Sequence, residues 1–189
     1  MMSALTPRQR GLRDALVDLF LDKGFRQLTL DDIAAELSCS KRTLYALADS
    51  KEQLALLAVR EYFRASTERV ETAIARTRAP GRRLTGYLEA VAAALAPASR
   101  AFTDDVAAFP PAREIYERNT DAAARRVREL IDDGYRAGAF RNVDSTFVAE
   151  VVTASMRRIT SSELTAATGL DDAAAYRELA KLVLAAVRR

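Results

Sequence analysis

Two very short amphipathic segments, separated by three small residues, constrain the fold more than any other feature of the sequence. In "TLDDIAAEL", Thr29 is placed to cap a helix of barely two turns, and in "SKRTLYALADS", Ser40 is placed to cap another. The break between them consists of Ser38, Cys39 and Ser40. Helices this short bury too little apolar surface to be stable alone, so they must pack against longer neighbours. The pattern predicts a helix-turn-helix.

Longer helices are predicted on both sides of this pair. On the N-terminal side, Thr6 is placed as a cap, Pro7 suits the first helical position, and Gln9 completes a capping box. An apolar stripe at helical spacing follows, and Gly24 supplies the stop. On the C-terminal side, Ser50 is placed to cap a fourth helix. These two helices are the neighbours on which the short pair must pack.

The remainder of the chain also has helical periodicity. Apolar residues recur mostly at helical spacing, and the 189 residues include only 7 Gly and 5 Pro. The pattern predicts an all-α protein. After the short pair, helices are expected over 51 to about 78, 82–95, 99–108, 111–137, 144–167 and 172–188.

Composition argues against an enzyme. The sequence has no His and a single Cys, so the usual zinc ligand sets and nucleophile pairs that need His are excluded. We therefore predict no catalytic residue, no metal and no cofactor. No apolar signal core or bilayer-spanning run occurs, which favours a cytoplasmic protein without a membrane partner. Cys39 occupies a small apolar slot in the turn, and packing rather than redox sensing explains it better.

The second short helix has one apolar side and one polar side. On a helical projection of residues 41–49, Leu44, Leu47 and Ala48 cluster, while Arg42 and Ala46 lie opposite. Such a helix fits the DNA major groove, where arginine reaches the paired acceptors of guanine. The net charge is only +3, so any contact with DNA must be local.

Lys51 gives a separate indication of DNA binding. A lysine in the first turn of a helix opposes the positive end of the helix dipole and is slightly unfavourable there. Opposite a phosphate, that penalty becomes an attraction.

Residues 14–54 contain a spaced set of apolar, capping and basic positions. They are Ala15, Leu19 and Phe20, Gly24 and Phe25, Thr29, Ile33 and Ala34, Ser40, Leu44 and Tyr45, then Ser50, Lys51, Glu52 and Leu54. With this combination, residues 14–54 resemble the DNA-binding domain of the TetR family of transcriptional repressors. The sequence departs from the family pattern at three positions. Ser38 replaces the turn glycine, Leu47 replaces a polar ring, and Ala48 replaces a phenylalanine.

The resemblance implies a DNA site made of Thr29, Ser40, Lys41, Arg42, Thr43, Tyr45 and Lys51. By analogy, Thr29, Tyr45 and Lys51 would hold phosphates, and residues 41–43 would supply base or groove contacts. The alternative for each residue is an ordinary structural role. Thr29 could be only a helix cap, Tyr45 only a partly buried aromatic side chain, and residues 41–42 only a solvated face.

The resemblance also implies a domain organisation. A helix-turn-helix DNA-binding domain is expected over residues 1–50, and a helical ligand-binding and dimerisation domain over 51–189. The last two long helices are expected to pair with those of a second subunit, because they are more apolar than one-sided packing requires. A thicker intramolecular core is the alternative.

A ligand site is predicted around the helix over 111–137, where Asn119 and Arg126 project close to an apolar stripe. The candidate ligand-binding residues are Tyr87, Phe102, Phe109, Tyr116, Asn119, Arg126 and Met156. A ligand with an acceptor or a negative charge could satisfy the two polar side chains. Alternatively, Arg126 pairs with a nearby carboxylate or reaches solvent.

The predicted function is a homodimeric repressor that binds a pseudo-palindromic double-stranded DNA operator and is released by an unidentified small-molecule effector. The fourth helix is the expected lever between the two sites. One alternative is a helical enzyme or a small-molecule-binding protein whose DNA-binding segment is degenerate. Another is an activator or an architectural DNA-binding protein without a ligand.

Overall fold

The computed structural model describes residues 6–161 and 163–189, and these residues form ten α-helices. The helices are α1 Pro7–Lys23, α2 Leu30–Glu36, α3 Lys41–Tyr45, α4 Lys51–Ile74, α5 Pro80–Leu95, α6 Arg100–Ala108, α7 Pro110–Arg136, α8 Ser145–Thr160, α9 Glu163–Thr168 and α10 Asp172–Val187. The predicted all-α class is therefore confirmed. None of the described helices is long and apolar enough to cross a membrane.

The predicted N-terminal boundary of α1 is confirmed in detail. The Thr6 side chain accepts a hydrogen bond from the backbone N–H of Gln9, and the Gln9 side chain accepts from the backbone N–H of Thr6. Pro7 occupies the first turn, where a missing N–H costs nothing. Gly24 ends the helix with φ +73°, a left-handed conformation that favours glycine.

One predicted helix end is wrong. α4 ends at Ile74 rather than near residue 78. The backbone continues there with a bond between residues three apart, from Thr77 N–H to Ile74 O, which tightens the last turn.

The helix expected over 144–167 is divided into α8 and α9. The hydroxyl of Thr160 donates to the carbonyl of Met156, and that of Ser161 donates to the carbonyl of Arg158. The same kind of bond occurs within α8 at Thr153 and Ser155, so these hydroxyl groups do not by themselves explain why the helix ends here. Residue 162, which the prediction included, lies outside the described residues.

The chain folds into two compact units. The first unit comprises the chain up to Ala65 together with Pro97–Tyr116, and the second comprises Ser66–Ala96 together with Glu117–Arg189. The division into domains at residue 50 stays a prediction, and residues 1–5 of the predicted first domain lie outside the described residues.

In the first unit, α6 packs against α1 and brings aromatic side chains together. The ring of Phe25 lies 6.2 Å from that of Phe102 and 6.2 Å from that of Phe109, both edge-on. The rings of Phe102 and Tyr62 are 5.4 Å apart. Edge-to-face pairs of this kind add to the stabilisation from burial. A segment distant in sequence therefore helps to fix the loop that follows α1.

In the second unit, α10 packs against α5 and α8 around a core that includes α7. Phe140, in the connection between α7 and α8, is almost fully buried. A Cβ at Gly134 would lie 2.1 Å from the ring of Phe140, so only glycine leaves room for that ring on α7. The next residue, Arg141, donates to the carbonyls of Ala186 and Val187 and so ties this connection to the end of α10.

Candidate nucleic-acid interface

The turn between α2 and α3 accommodates a side chain where the family pattern has glycine. Ser38 adopts φ +48°, the left-handed region that favours glycine, and its side chain is exposed to solvent. Backbone bonds support the turn, because the N–H of Cys39 donates to the carbonyl of Ala34 at 2.9 Å. The turn that positions α3 is therefore formed without the family glycine.

Cys39 is half-buried, and burial raises the pKa of its thiol. A raised pKa disfavours the thiolate, which is the reactive form. This environment agrees with a packing role in the turn.

The recognition helix α3 is fixed by one cap and one buried side chain. The Ser40 hydroxyl accepts from the backbone N–H of Thr43 at 3.2 Å, and the two hydroxyl oxygens are 2.8 Å apart. Leu44 is completely buried, whereas Arg42 and Tyr45 are exposed. Because Leu44 holds one side of the helix inward, the other side faces solvent as the projection predicted.

The side chain of Arg42 makes no hydrogen bond or ion pair within the part of the chain that the structure describes. Its guanidinium keeps all five N–H donors available for an external partner. Lys41 differs, because its ammonium forms an ion pair with the Asp31 carboxylate of α2 at 2.7 Å. The hydrogen bond to Asp31 raises the pKa of Lys41.

Thr29 and Lys51 also have partners inside the first unit. The Thr29 hydroxyl donates to the Asp32 carboxylate at 2.7 Å and accepts from the Asp32 N–H at 3.2 Å. The hydroxyl and the backbone N–H of Thr29 both donate to the Asp32 carboxylate, and these two bonds lower the pKa of Asp32 because they stabilise its charged form. The Lys51 ammonium donates to the carbonyl of Arg26 at 2.7 Å. Thr29 is thus a helix cap, and its role as a phosphate ligand stays a prediction, as does that of Lys51.

The seven predicted DNA-binding residues all belong to the first unit, on α3 and at the starts of α2 and α4. The side chains of Arg42 and Tyr45 are exposed and make no hydrogen bond to the described residues. Lys41 is exposed and Lys51 is half-buried, and each is bonded within the protein, to Asp31 and to the carbonyl of Arg26. The contacts of these residues with DNA stay predictions.

Asp105 of α6 is a residue that the sequence analysis missed. Its carboxylate oxygen Oδ2 accepts from the backbone N–H of Phe25 at 2.6 Å and from that of Arg26 at 2.8 Å. A Cβ at Gly24 would lie 2.6 Å from the same oxygen, so glycine permits this close approach. The carboxylate lies 80 positions from Phe25 in sequence, and no local pattern signals the contact.

The predicted ligand-binding residues are divided between the units. Phe102, Phe109 and Tyr116 belong to the first unit, and Tyr87, Asn119, Arg126 and Met156 belong to the second. Their roles toward a ligand stay predictions.

Arg126 has carboxylate partners within the second unit, which is the alternative that the sequence left open. Its Nε and Nη2 donate to the two oxygens of Glu71 at 2.8 and 2.9 Å, and its Nη1 donates to Glu129 at 2.9 Å. Hydrogen bonding to Glu71 raises the pKa of Arg126. Burial raises the pKa of the nearby Tyr87, which keeps that phenol neutral. Asn119 accepts a hydrogen bond from the Thr67 hydroxyl at 3.3 Å.

No group of three or more His, Cys, Asp or Glu side chains is placed to hold a metal ion in the described ranges 6–161 and 163–189.

Comparison with known proteins identifies the helix-turn-helix. A family model of bacterial regulatory proteins of the tetR family matches residues 12–58. No curated protein matches the sequence significantly.

Solved structures share the fold over nearly the whole chain. A candidate transcriptional regulator from Saccharomonospora viridis in complex with choline is 18% identical, with a TM-score of 0.78 and coverage of 96% of this chain and 98% of that one. A transcriptional regulator from Cytophaga hutchinsonii is 15% identical, with a TM-score of 0.77 over 97% and 100% of the two chains. The TetR family transcriptional regulator PfmR from Thermus thermophilus is 20% identical, with a TM-score of 0.68 over 92% and 97%.

The Asp105 contact leads to a stability prediction. Asp105→Ala leaves the N–H groups of Phe25 and Arg26 without their charged acceptor, so we expect a loss of about 2 kcal/mol in the free energy of unfolding. Asp104→Ala is the matched control, because Asp104 is an exposed neighbour on the same helix that lies 3.6 Å from Arg100. Urea titration of both variants measures the effect. Equal stability of the two variants would show that the carboxylate of Asp105 does not hold the loop.

Proposed function

Because the chain belongs to the TetR family of bacterial transcriptional regulators, we propose that it is a repressor that binds a pseudo-palindromic operator as a homodimer and is released by a small molecule. The observation that carries this proposal is the exposed guanidinium of Arg42, which has no partner among the described residues and stands on a short helix held from behind by buried Leu44. Proteins of this family are transcription factors rather than enzymes. The bacterial cytoplasm, which holds the chromosome, is the proposed place of action.

The arrangement of α3 supports base reading by its first turn. Ser40 caps the helix, so the backbone of the first turn is ordered before DNA arrives. Arg42 then has the reach and the planar donor geometry for the O6 and N7 atoms of guanine. Exposed Ala46, one turn further along, leaves room for close approach to the floor of the groove.

Exposed apolar side chains on the last two long helices support the homodimer. On α8, Phe147 is 67% exposed and Val151 is 46% exposed, and on α10, Leu182 is 69% exposed. The opposite sides of α8 and α10 bury Val152, Ile159 and Val183 in the core of the same unit. Each helix therefore has apolar residues on two sides, and only one of these sides is buried within the chain. A second copy of the same surface would cover the other.

Chain connectivity supports control by an effector. α4 begins at Lys51 in the DNA-binding unit and continues past Ala65 into the second unit. A ligand that favours one conformation of the second unit thereby acts on the start of α4, near the candidate DNA site. The regulator from Saccharomonospora viridis is in complex with choline, which makes choline the first compound to test.

Selection of bound fragments from a pool of random DNA, followed by affinity measurements on the winning sequence, tests the DNA proposal. We expect a pseudo-palindromic site. Arg42→Ala should weaken binding by about 1–3 kcal/mol per bidentate contact and relax the preference at one base pair in each half-site. Arg60→Ala is the control, because it removes an exposed arginine of α4 from the same unit.

A uniform loss of affinity for all sequences with Arg42→Ala would mean that this residue contacts phosphate and does not read a base. Enrichment of no sequence above nonspecific binding would contradict the operator proposal itself.

The proposed homodimer predicts that a charge on the exposed side of α10 promotes dissociation. Leu182→Asp places a charge in the proposed interface, so the dimer should dissociate at protein concentrations at which the wild type remains dimeric. Tyr135→Asp is the matched control, since Tyr135 is an exposed apolar residue of the same unit that lies on α7. Sedimentation equilibrium gives the dissociation constants. Equal dissociation constants for the two variants would place the interface elsewhere.

Effector control predicts reciprocity. A compound that weakens operator binding by a given factor must itself bind the operator complex more weakly by the same factor. Calorimetric titration of the compound into free protein and into protein saturated with operator measures both affinities. A compound that releases DNA but has equal affinity for both forms would exclude coupling between the two sites and would indicate action on the DNA or denaturation, whereas a direct competitor would not bind the operator complex at all.

A further inference from the structure

The ion pair between α2 and α3 bears directly on how tightly this protein holds DNA. The Lys41 ammonium lies 2.7 Å from the Asp31 carboxylate, and the two side chains are 48% and 75% exposed. Lys41 is the first residue of the recognition helix α3, and Asp31 lies in the first turn of α2. A negative charge is favourable at that end of α2 because of the helix dipole.

A DNA phosphate and the Asp31 carboxylate present similar groups to Lys41. Both are anionic and both accept hydrogen bonds from an ammonium. A phosphate that approaches Lys41 comes close to this carboxylate, which repels the phosphate and offsets the positive charge that attracts it. The protein thus carries an internal competitor for the DNA backbone at the start of its recognition helix.

We propose that Asp31 limits the affinity of this protein for DNA by forming an ion pair with Lys41. The inference rests on the proposed DNA-binding function and adds a residue that opposes it. Its effect falls on contacts with the backbone, which carry no sequence information.

Among the described residues, no carboxylate is hydrogen-bonded to either of the other two cations of the candidate site, although Asp32 and Glu52 lie close enough to interact with the charge of Lys51. Lys51 donates to the neutral carbonyl of Arg26, so its positive charge is not cancelled by that bond. The Arg42 side chain has no partner among the described residues. Asp31 therefore neutralises one cation at the start of α3 and leaves the candidate base-reading residue available. Because nonspecific binding is almost entirely electrostatic, this arrangement lowers nonspecific affinity and favours discrimination between DNA sequences.

The test uses Asp31→Asn and a mixed-sequence DNA duplex, so no operator needs to be known. At low salt we expect Asp31→Asn to bind this duplex about three- to fivefold more tightly than the wild type, the range of a surface ion pair. The freed Lys41 should also steepen the slope of log K against log salt concentration by about 0.9 for each subunit that contacts the DNA, the value for one additional phosphate contact. Fluorescence anisotropy across a salt series gives both quantities.

Asp18→Asn is the matched control, because it removes one exposed negative charge from α1 of the same unit. This variant should change affinity by less than about twofold and leave the salt slope unchanged, since screening limits the effect of a distant surface charge. Thermal unfolding of all variants identifies any change in folded fraction.

Lys41→Met separates the ion pair from a general charge effect. In the wild type, Lys41→Met should weaken binding to the mixed-sequence duplex, because it leaves the Asp31 carboxylate without its counter-charge beside the DNA backbone. In the Asp31→Asn background, the same substitution should remove the whole gain.

Two results would overturn the inference. If Asp31→Asn and Asp18→Asn increase affinity equally, Asp31 acts only through net charge, while DNA binding by the wild type continues to support the proposed function. If the wild type binds neither the mixed-sequence duplex at low salt nor any selected sequence, the inference and the proposed function both fail.

Discussion

Burial of apolar side chains from two helices that are too short to fold alone is the constraint on which the DNA-binding unit depends. α2 and α3 contribute Ile33 and Leu44, and both side chains are removed completely from water. A completely buried leucine contributes about 1.5–3 kcal/mol from the transfer of its side chain, which a five-residue helix cannot replace by its own hydrogen bonds. The burial of Leu44 also decides which side of α3 faces solvent. With Leu44 inward, Arg42 can only face solvent.

The loop before α2 is held by a contact of another kind. The carboxylate of Asp105 accepts two backbone N–H groups of residues 25–26, and the aromatic ring of Phe25 packs between Phe102 and Phe109. An apolar contact and a charge-assisted polar contact thus fix the same loop from α6. The position of α2 and of the recognition helix is therefore determined partly by residues well beyond the helix-turn-helix. A family pattern confined to residues 12–58 does not contain them.

Local signals were predictable from the sequence, and contacts between distant residues were not. The caps Thr6, Thr29 and Ser40 were correct because a cap bonds to a backbone group only three residues away. The helical class and the inward face of α3 were correct because both follow from apolar spacing. The role of Asp105 had no such signal, since its partners lie about 80 positions earlier. The ion pair of the candidate DNA site could not be predicted from the sequence either. Lys41 and Asp31 lie on different helices, and they come into contact because of the turn at Ser38 between α2 and α3. A lysine assigned to DNA by its position in the motif is thus bonded to the protein itself.

Arg126 illustrates how a partly buried charge that suggests a ligand site can find its partners within the chain. The sequence suggested that its guanidinium could receive an anionic ligand, but Glu71 binds it through two hydrogen bonds and Glu129 through a third. An anion that displaced Glu71 would leave that partly exposed carboxylate without its counter-charge. Burial also keeps the nearby phenol of Tyr87 neutral. The charge of Arg126 is therefore compensated within the second unit, and no anionic ligand is needed to satisfy it.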